Sequence, residues 1–376
     1  MTAYYPKPVA IYIHTPFCPS KCGYCDFNSY AMSGDIMART TAATIKEIKS
    51  SPHKGRPAKT IFIGGGTPTY LPTDQLLAIL EAVTETHPPI TDCEITSEAN
   101  PGTIDFPKFD AMFKAGFNRL SLGAQSFQTH DLIQLGRIHA PTHIVQAVQT
   151  AKSAGFQNIN IDLMFALPGQ SLKAWQTNLQ TALELKTQHL SLYCLTIEPN
   201  TRFYRHNLKG MLHLPDDVKQ TEMYDIAISL TKEHNLQQYE ISNFAQPGFE
   251  SRHNLAYWHS EEYLAFGPGA VGCYFTDNGK YRYTNLKHPD GYSTAVEQNL
   301  PLHFESETLT DEDNNFERIM MGLRLNDGLP TTDLHLDPKG LKKTLDRNWI
   351  TQTDQKLTLT KEGRHFCSEV AILLSP

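Results

Sequence analysis

Three cysteines fall within eight positions of one another: Cys18, Cys22 and Cys25, in the string His14-Thr15-Pro16-Phe17-Cys18-Pro19-Ser20-Lys21-Cys22-Gly23-Tyr24-Cys25-Asp26-Phe27. The spacing C-x3-C-x2-C puts three thiolates on one short loop. Three thiolates can hold three irons of a [4Fe–4S] cubane and leave the fourth iron without a protein ligand. An open iron can bind a substrate, which a fully ligated one cannot do. The competing reading is a zinc site made of the same cysteines and His14, because zinc accepts three sulfurs and one imidazole. His14, however, sits on a β-branched run four residues before Cys18, and a zinc knuckle needs no large scaffold behind it.

The elements that must position this loop follow from patterning. Short β-branched and aromatic runs occur at Val9–His14, Thr60–Ile63, Cys93–Glu98, Arg119–Gly123, Asn158–Leu163 and Leu190–Ile197, with a seventh at Gln238–Asn243. Stretches with apolar residues three and four apart lie between and after them, at Asp74–Val83, His143–Ala154, Leu172–Leu185 and Asp217–Glu233. This alternation implies right-handed βαβ units and a parallel sheet. Six units are too few for a closed eight-stranded barrel; they suit an open, partly wound barrel or a doubly wound sheet. In either, ligands bind at the C-terminal ends of the strands. The notable residues obey that rule: the cysteines follow the first strand, Gly64–Gly66 the second, Glu98 closes the third, Gln125 follows the fourth and Asp162 lies near the end of the fifth.

The cysteine spacing, the string Gly64-Gly65-Gly66-Thr67-Pro68-Thr69 and the six βα units together resemble the radical S-adenosylmethionine superfamily, and more narrowly the oxygen-independent coproporphyrinogen III oxidase family and its relatives. The resemblance runs from Tyr12 into the C-terminal region. It implies an α/β fold, an incomplete (β/α)6 TIM-like barrel followed by a small, mostly helical C-terminal domain. It also implies a [4Fe–4S] cluster on Cys18, Cys22 and Cys25. S-adenosylmethionine would chelate the open iron, and one electron from the cluster would break its C5′–S bond. By the same resemblance Tyr12, Tyr24, Gly65, Gly66, Thr67, Glu98, Gln125, Arg137 and Asp162 bind the cofactor. The residues themselves allow blander roles: a tight strand-to-helix turn for the glycines, a helix-terminal charge for Glu98, surface ion pairs for Arg137 and Asp162, and core packing for Tyr12 and Tyr24.

Two features choose among relatives. The coproporphyrinogen enzymes carry a further cysteine two residues after the third, where this chain has Phe27, and a longer segment before the cluster. Further on, His253-Asn254-Leu255-Ala256-Tyr257-Trp258 resembles the H-N-x-x-Y-W string of the heme-chaperone subgroup. An imidazole can ligate heme iron, and aromatic rings can pack on a porphyrin face. His253, Tyr257 and Trp258 are therefore the expected heme-binding residues; the bland alternative is a satisfied histidine beside two core aromatics. The subgroup implies heme, an apo-hemoprotein acceptor and an electron donor as partners, with membrane contact through a client. Whether the chain is an enzyme is left open by Phe27, and no catalytic residue is assigned. The alternatives are a porphyrin-decarboxylating radical enzyme and a zinc-stabilised α/β binding protein.

The expected division is a core over residues 1–245, an extension carrying the H-N-x-x-Y-W string over 246–300, and a C-terminal domain over 301–376, with Asp311–Leu325 helical and Leu357–Leu359 extended. The chain has 376 residues, a net charge of −7 and 40% apolar residues. That suits a sizeable core and gives no basic stripe for nucleic acid. No signal-like start and no apolar run of membrane-spanning length occur, so the expected location is the cytoplasm. Seven cysteines, three of them clustered, speak for metal or redox chemistry rather than a disulfide framework.

Overall fold

In this computed structural model residues 7–376 are described. Six parallel strands form its centre: β1 (Val9–Thr15), β2 (Ala58–Gly65), β3 (Pro89–Ala99), β4 (Arg119–Gln125), β5 (Asn158–Phe165) and β6 (His189–Cys194), side by side in chain order. Each is joined to the next through helix, as the βαβ rule requires. Ile11, Ile13, Ile61, Ile63, Leu120, Leu122, Ile159 and Ile161 lie in the core against the covering helices. The intervening residues Tyr12, Phe62, Glu98, Ser121, Asn160 and Asp162 take the opposite face by the period-two alternation of a strand. That second face is polar. Residues from the β1 loop through β6 line one cavity, so the sheet curls around it as an incomplete barrel. The incomplete TIM-like architecture is the one expected.

The seventh run departs from expectation. Gln238–Asn243 is not one strand: β7 (Gln237–Gln238) and β8 (Asn243–Ala245) flank a turn, and β8 lies antiparallel to β6. The turn folds Glu240 inward, where it is 0% exposed and accepts hydrogen bonds from Ser242 N–H and the Asn243 amide. The Gly-, Tyr- and Asn-rich stretch after it also holds more structure than its composition suggests. The strands β9 (Tyr263–Phe266), β10 (Val271–Thr276), β11 (Gly279–Asn285) and β12 (His303–Thr308) continue the large sheet beyond β1, with β9 parallel to β1 and the rest antiparallel. The sheet therefore reaches Thr308, and twelve strands run in the order β12-β11-β10-β9-β1-β2-β3-β4-β5-β6-β8-β7.

A smaller unit follows, with its own core of Ile319, Leu323, Trp349, Ile350, Leu357 and Val370. It is built of helices Asp311–Gly322, Pro338–Asp346 and Cys367–Leu374 around a small sheet of β13 (Leu329–Pro330), β14 (Ile350–Gln352) and β15 (Lys356–Leu359). Among the described residues no helix is long and apolar enough to cross a membrane.

Candidate functional site

The cysteine loop is closed at its neck. Cys18 N–H donates to Tyr30 O at 3.0 Å and Tyr30 N–H to Pro16 O at 2.7 Å. Inside the loop the Lys21 ammonium binds the carbonyls of Phe27 and Ser29 at 2.8 and 3.0 Å. The loop also docks on its neighbours: Gly23 N–H reaches Leu135 O at 3.0 Å, and Phe203 N–H reaches Gly23 O at 2.9 Å. The turn after β2 lies directly beneath. A Cβ on Gly66 would stand 2.6 Å from the Phe17 carbonyl oxygen, and Gly65, with φ +108°, packs on the His14 ring. These two glycines let β2 and the cysteine loop touch backbone to backbone.

All three cysteines line a cavity of about 460 Å3, together with Tyr24, Gly65, Gly66, Thr67, Glu98, Gln125, Arg137 and Asp162. Two donors point at the sulfurs. Thr67 Oγ1 lies 3.5 Å from Cys18 Sγ, and Arg137 Nη1 lies 3.5 Å from Cys22 Sγ while Nη2 binds Gly123 O at 2.6 Å. Burial pushes the Cys18 and Cys25 thiols up, which disfavours free thiolates and leaves them to a cation. A hydroxyl and a guanidinium beside three half-buried sulfurs fit an anionic iron–sulfide group. Zinc fits worse. His14 has both ring nitrogens engaged, Nδ1 with Tyr12 OH at 2.9 Å and Nε2 with Asn28 O at 2.8 Å.

The acids occupy the cavity wall. Glu98 accepts from Gly65 N–H at 2.9 Å, and burial, with the nearby Asp162 charge, pushes its carboxyl up to about 7. Asp162 accepts from Asn160 Nδ2 at 2.7 Å and Ser121 Oγ at 3.1 Å; burial raises it against those bonds. Gln125 sits at φ 67° just past a register shift between β4 and β5. A bulge of this kind re-aims side chains at a site.

Four expected residues lie elsewhere. Tyr12 does not line the cavity: it is inside the barrel below it, bonded to His14 and near Phe62 and His253. His253, Tyr257 and Trp258 belong to a short helix, Arg252–Trp258 (the motif helix), at the opposite end of the barrel from the cysteines. There the N–H groups of Arg252 and His253 donate to Glu94 at 3.1 Å each. His253 is 1% exposed, with Nδ1 bonded to Thr60 Oγ1 and Nε2 to Tyr257 OH, both at 2.8 Å, and its ring stacked on Phe62 at 5.0 Å. Burial, then the charges of Lys59 and Arg119, lower it to about 3, so it is neutral and already partnered. Tyr257 packs edge-on to Tyr263, and Trp258 lies under the Arg324 guanidinium at 4.6 Å. The satisfied-histidine reading describes this geometry. The motif residue that does line the cavity is Asn254. Arg119, which also lines it, is missed by sequence reasoning because an arginine opening a strand reads as a surface charge.

Known proteins resemble the chain as follows. The Radical SAM superfamily profile matches residues 12–182, and the HemN C-terminal domain profile matches residues 309–366. The chain is 37% identical over 371 residues to the heme chaperone HemW of Bacillus subtilis (strain 168), covering 96% of this chain and 97% of that one. It is 35% identical over 377 residues to the heme chaperone HemW of Escherichia coli (strain K12), with 96% and 97% covered. Among solved structures, coproporphyrinogen III oxidase (HemN) from Escherichia coli, a radical SAM enzyme, shares the fold with a TM-score of 0.84 at 22% identity over 100% of this chain and 91% of that one.

Proposed function

We infer the role from one premise: the chain belongs to the radical S-adenosylmethionine superfamily and, within it, to the HemW family. It is a heme chaperone that binds heme and passes it to apo-hemoproteins. The observation that carries this reading is the match to curated HemW proteins over nearly the whole length of both chains. Phe27 agrees with it, since an exposed aromatic ring stands at the cavity mouth where the decarboxylating relatives have a further cysteine.

Cys18, Cys22 and Cys25 hold a [4Fe–4S] cluster. When bound, the cluster offers one open iron and one electron to S-adenosylmethionine. The protein's own side chains do the rest. Thr67 and Arg137 donate toward the sulfurs and offset their negative charge. Glu98 and Asp162 present acceptors for the cofactor's ammonium and ribose hydroxyls. Gly65 and Gly66 seat the end of β2 against the cysteine loop and so put backbone in the cavity wall beside the sulfurs. Tyr24 and Gln125 complete the wall. An electron donor and an apo-hemoprotein are the partners, and the cytoplasm, where thiols stay reduced, is the place of action.

Anaerobic reconstitution followed by iron and sulfide counting and a heme titration tests this. About four irons per chain, stoichiometric heme and no porphyrin product are expected. Turnover of coproporphyrinogen III would overturn the chaperone role, and zinc uptake without iron would overturn the cluster.

A further inference from the structure

The cavity continues below the residues given to S-adenosylmethionine, to a floor that those roles leave unused. Phe62 of β2, Arg119 of β4 and Asn254 of the motif helix form it. Arg119 opens β4, and Ser121, two residues nearer the mouth, faces the same way. Arg119 is 2% exposed, yet its side chain makes no hydrogen bond or ion pair with any described residue, and its buried Nε has no partner. Its register partner on β3, Thr96, carries a second buried and unpartnered hydroxyl. Asn254 is held by its backbone, through Ser251 Oγ, and its side-chain amide has no partner among the described residues. His253 beside it spends both ring nitrogens inside the protein.

A buried guanidinium without an acceptor is costly, so a bound group is expected to supply one. Asp162 feels the Arg119 charge, but neither it nor Glu98 forms an ion pair with Arg119: Asp162 accepts from Asn160 and Ser121, Glu98 from Gly65. The planar fork of arginine matches a carboxylate with two parallel hydrogen bonds, and the amide of Asn254 adds another donor. The rim above carries two exposed apolar side chains, Phe27 at 62% and Ile138 at 51%, among polar ones such as Asp26. A ligand with a flat apolar body and an acidic arm fits that arrangement.

We propose that Arg119 and Asn254 form a carboxylate-binding floor, and, resting on the heme reading above, that they hold a propionate of heme. The motif helix then serves the ligand through Asn254, and His253 anchors that helix in the barrel.

The test titrates heme and heme dimethyl ester, whose propionates are blocked, into the full-length reconstituted protein, read by visible absorbance. The wild type is expected to bind the free acid about ten- to a hundredfold more tightly, the scale of a charged hydrogen-bonded pair. Arg119→Gln removes that preference by weakening the free acid alone, and Asn254→Ala reduces it. Arg119→Lys keeps a cation in the barrel, controls for folding and retains part of the preference. A wild type that binds both porphyrins equally, or an Arg119→Gln protein that keeps the preference, overturns the carboxylate floor and leaves the chaperone reading standing. A wild type that binds neither overturns both.

Discussion

A carboxyl that titrates near neutrality makes binding a function of pH, and Glu98 is such a carboxyl. Its ordinary value of 4.5 rises to about 7, mainly through burial and then through the Asp162 charge. Between those values the folded chain holds a proton that the unfolded chain has released, so this group's contribution to stability falls as pH rises from 4.5 toward 7. Binding runs the other way, because S-adenosylmethionine is a cation and prefers the ionised carboxylate. Its affinity for the cluster-loaded protein should therefore rise about tenfold between pH 6 and pH 8, the change in ionised fraction for a group titrating near 7. Glu98→Gln should bind weakly and flatly over that range. A wild-type profile without slope would remove Glu98 from the ligand contacts. Glu98 and Asp162 were legible in the sequence because they fall at strand ends in a βα pattern. Arg119 was not: nothing in a sequence says that the first residue of a strand points into a cavity and finds no partner there.

Legibility differs among elements as well. The six parallel strands announce themselves as short runs with Ile, Val or Leu at alternate positions, because the face under the helices is fully shielded from solvent. The strands β9 to β12 do not, since polar and aromatic residues make up much of them, as in Gly279-Lys280-Tyr281-Arg282-Tyr283, where even Lys280 is buried. The motif helix is instructive in another way. A histidine, a tyrosine and a tryptophan in one short string suggest a ligand, but their spacing also lets His253 and Tyr257, one helical turn apart, bond each other. The structure makes His253 a plug: it fills space against Phe62 and ties the helix to β2 through Thr60. His253→Ala should thus cost roughly 2–4 kcal/mol in urea unfolding, from a lost buried ring and two hydrogen bonds. Heme bound to that variant should keep the wild-type absorption spectrum, because the iron's axial ligand is unchanged. A changed spectrum with unchanged stability would reverse this assignment and make His253 the ligand.

At the scale of the molecule, an incomplete barrel has two sheet ends, and the small C-terminal unit touches both. On one side Glu317 of helix Asp311–Gly322 pairs with Lys280, at 2.6 Å, and with Arg282, both on β11. On the other side Arg324 lies 3.9 Å from the buried Glu240, Leu325 bridges to Glu240, and Asn326 N–H donates to Tyr239 O at 3.0 Å. Between these contacts the same helix packs on the motif helix, whose Trp258 lies under Arg324. The unit therefore works as a strap across the open side of the barrel, holding the plug in place. Glu317→Gln is the sharpest test of that coupling. Lys280 is only 2% exposed, and burial lowers its pKa, so removing its carboxylate strands a buried cation. The loss should be roughly 2–4 kcal/mol, below the upper range for a buried pair because Glu317 is partly exposed. Lys280→Met combined with Glu317→Leu should recover most of it, since an apolar pair of similar volume carries no desolvation penalty. The decisive readout is amide hydrogen exchange. A strap predicts that Glu317→Gln loosens β11 and, through the helix, the Tyr239–Ser242 turn and the motif helix together. Loss of protection confined to β11 would mean that the two sheet ends are held independently and that the C-terminal unit only sits against them.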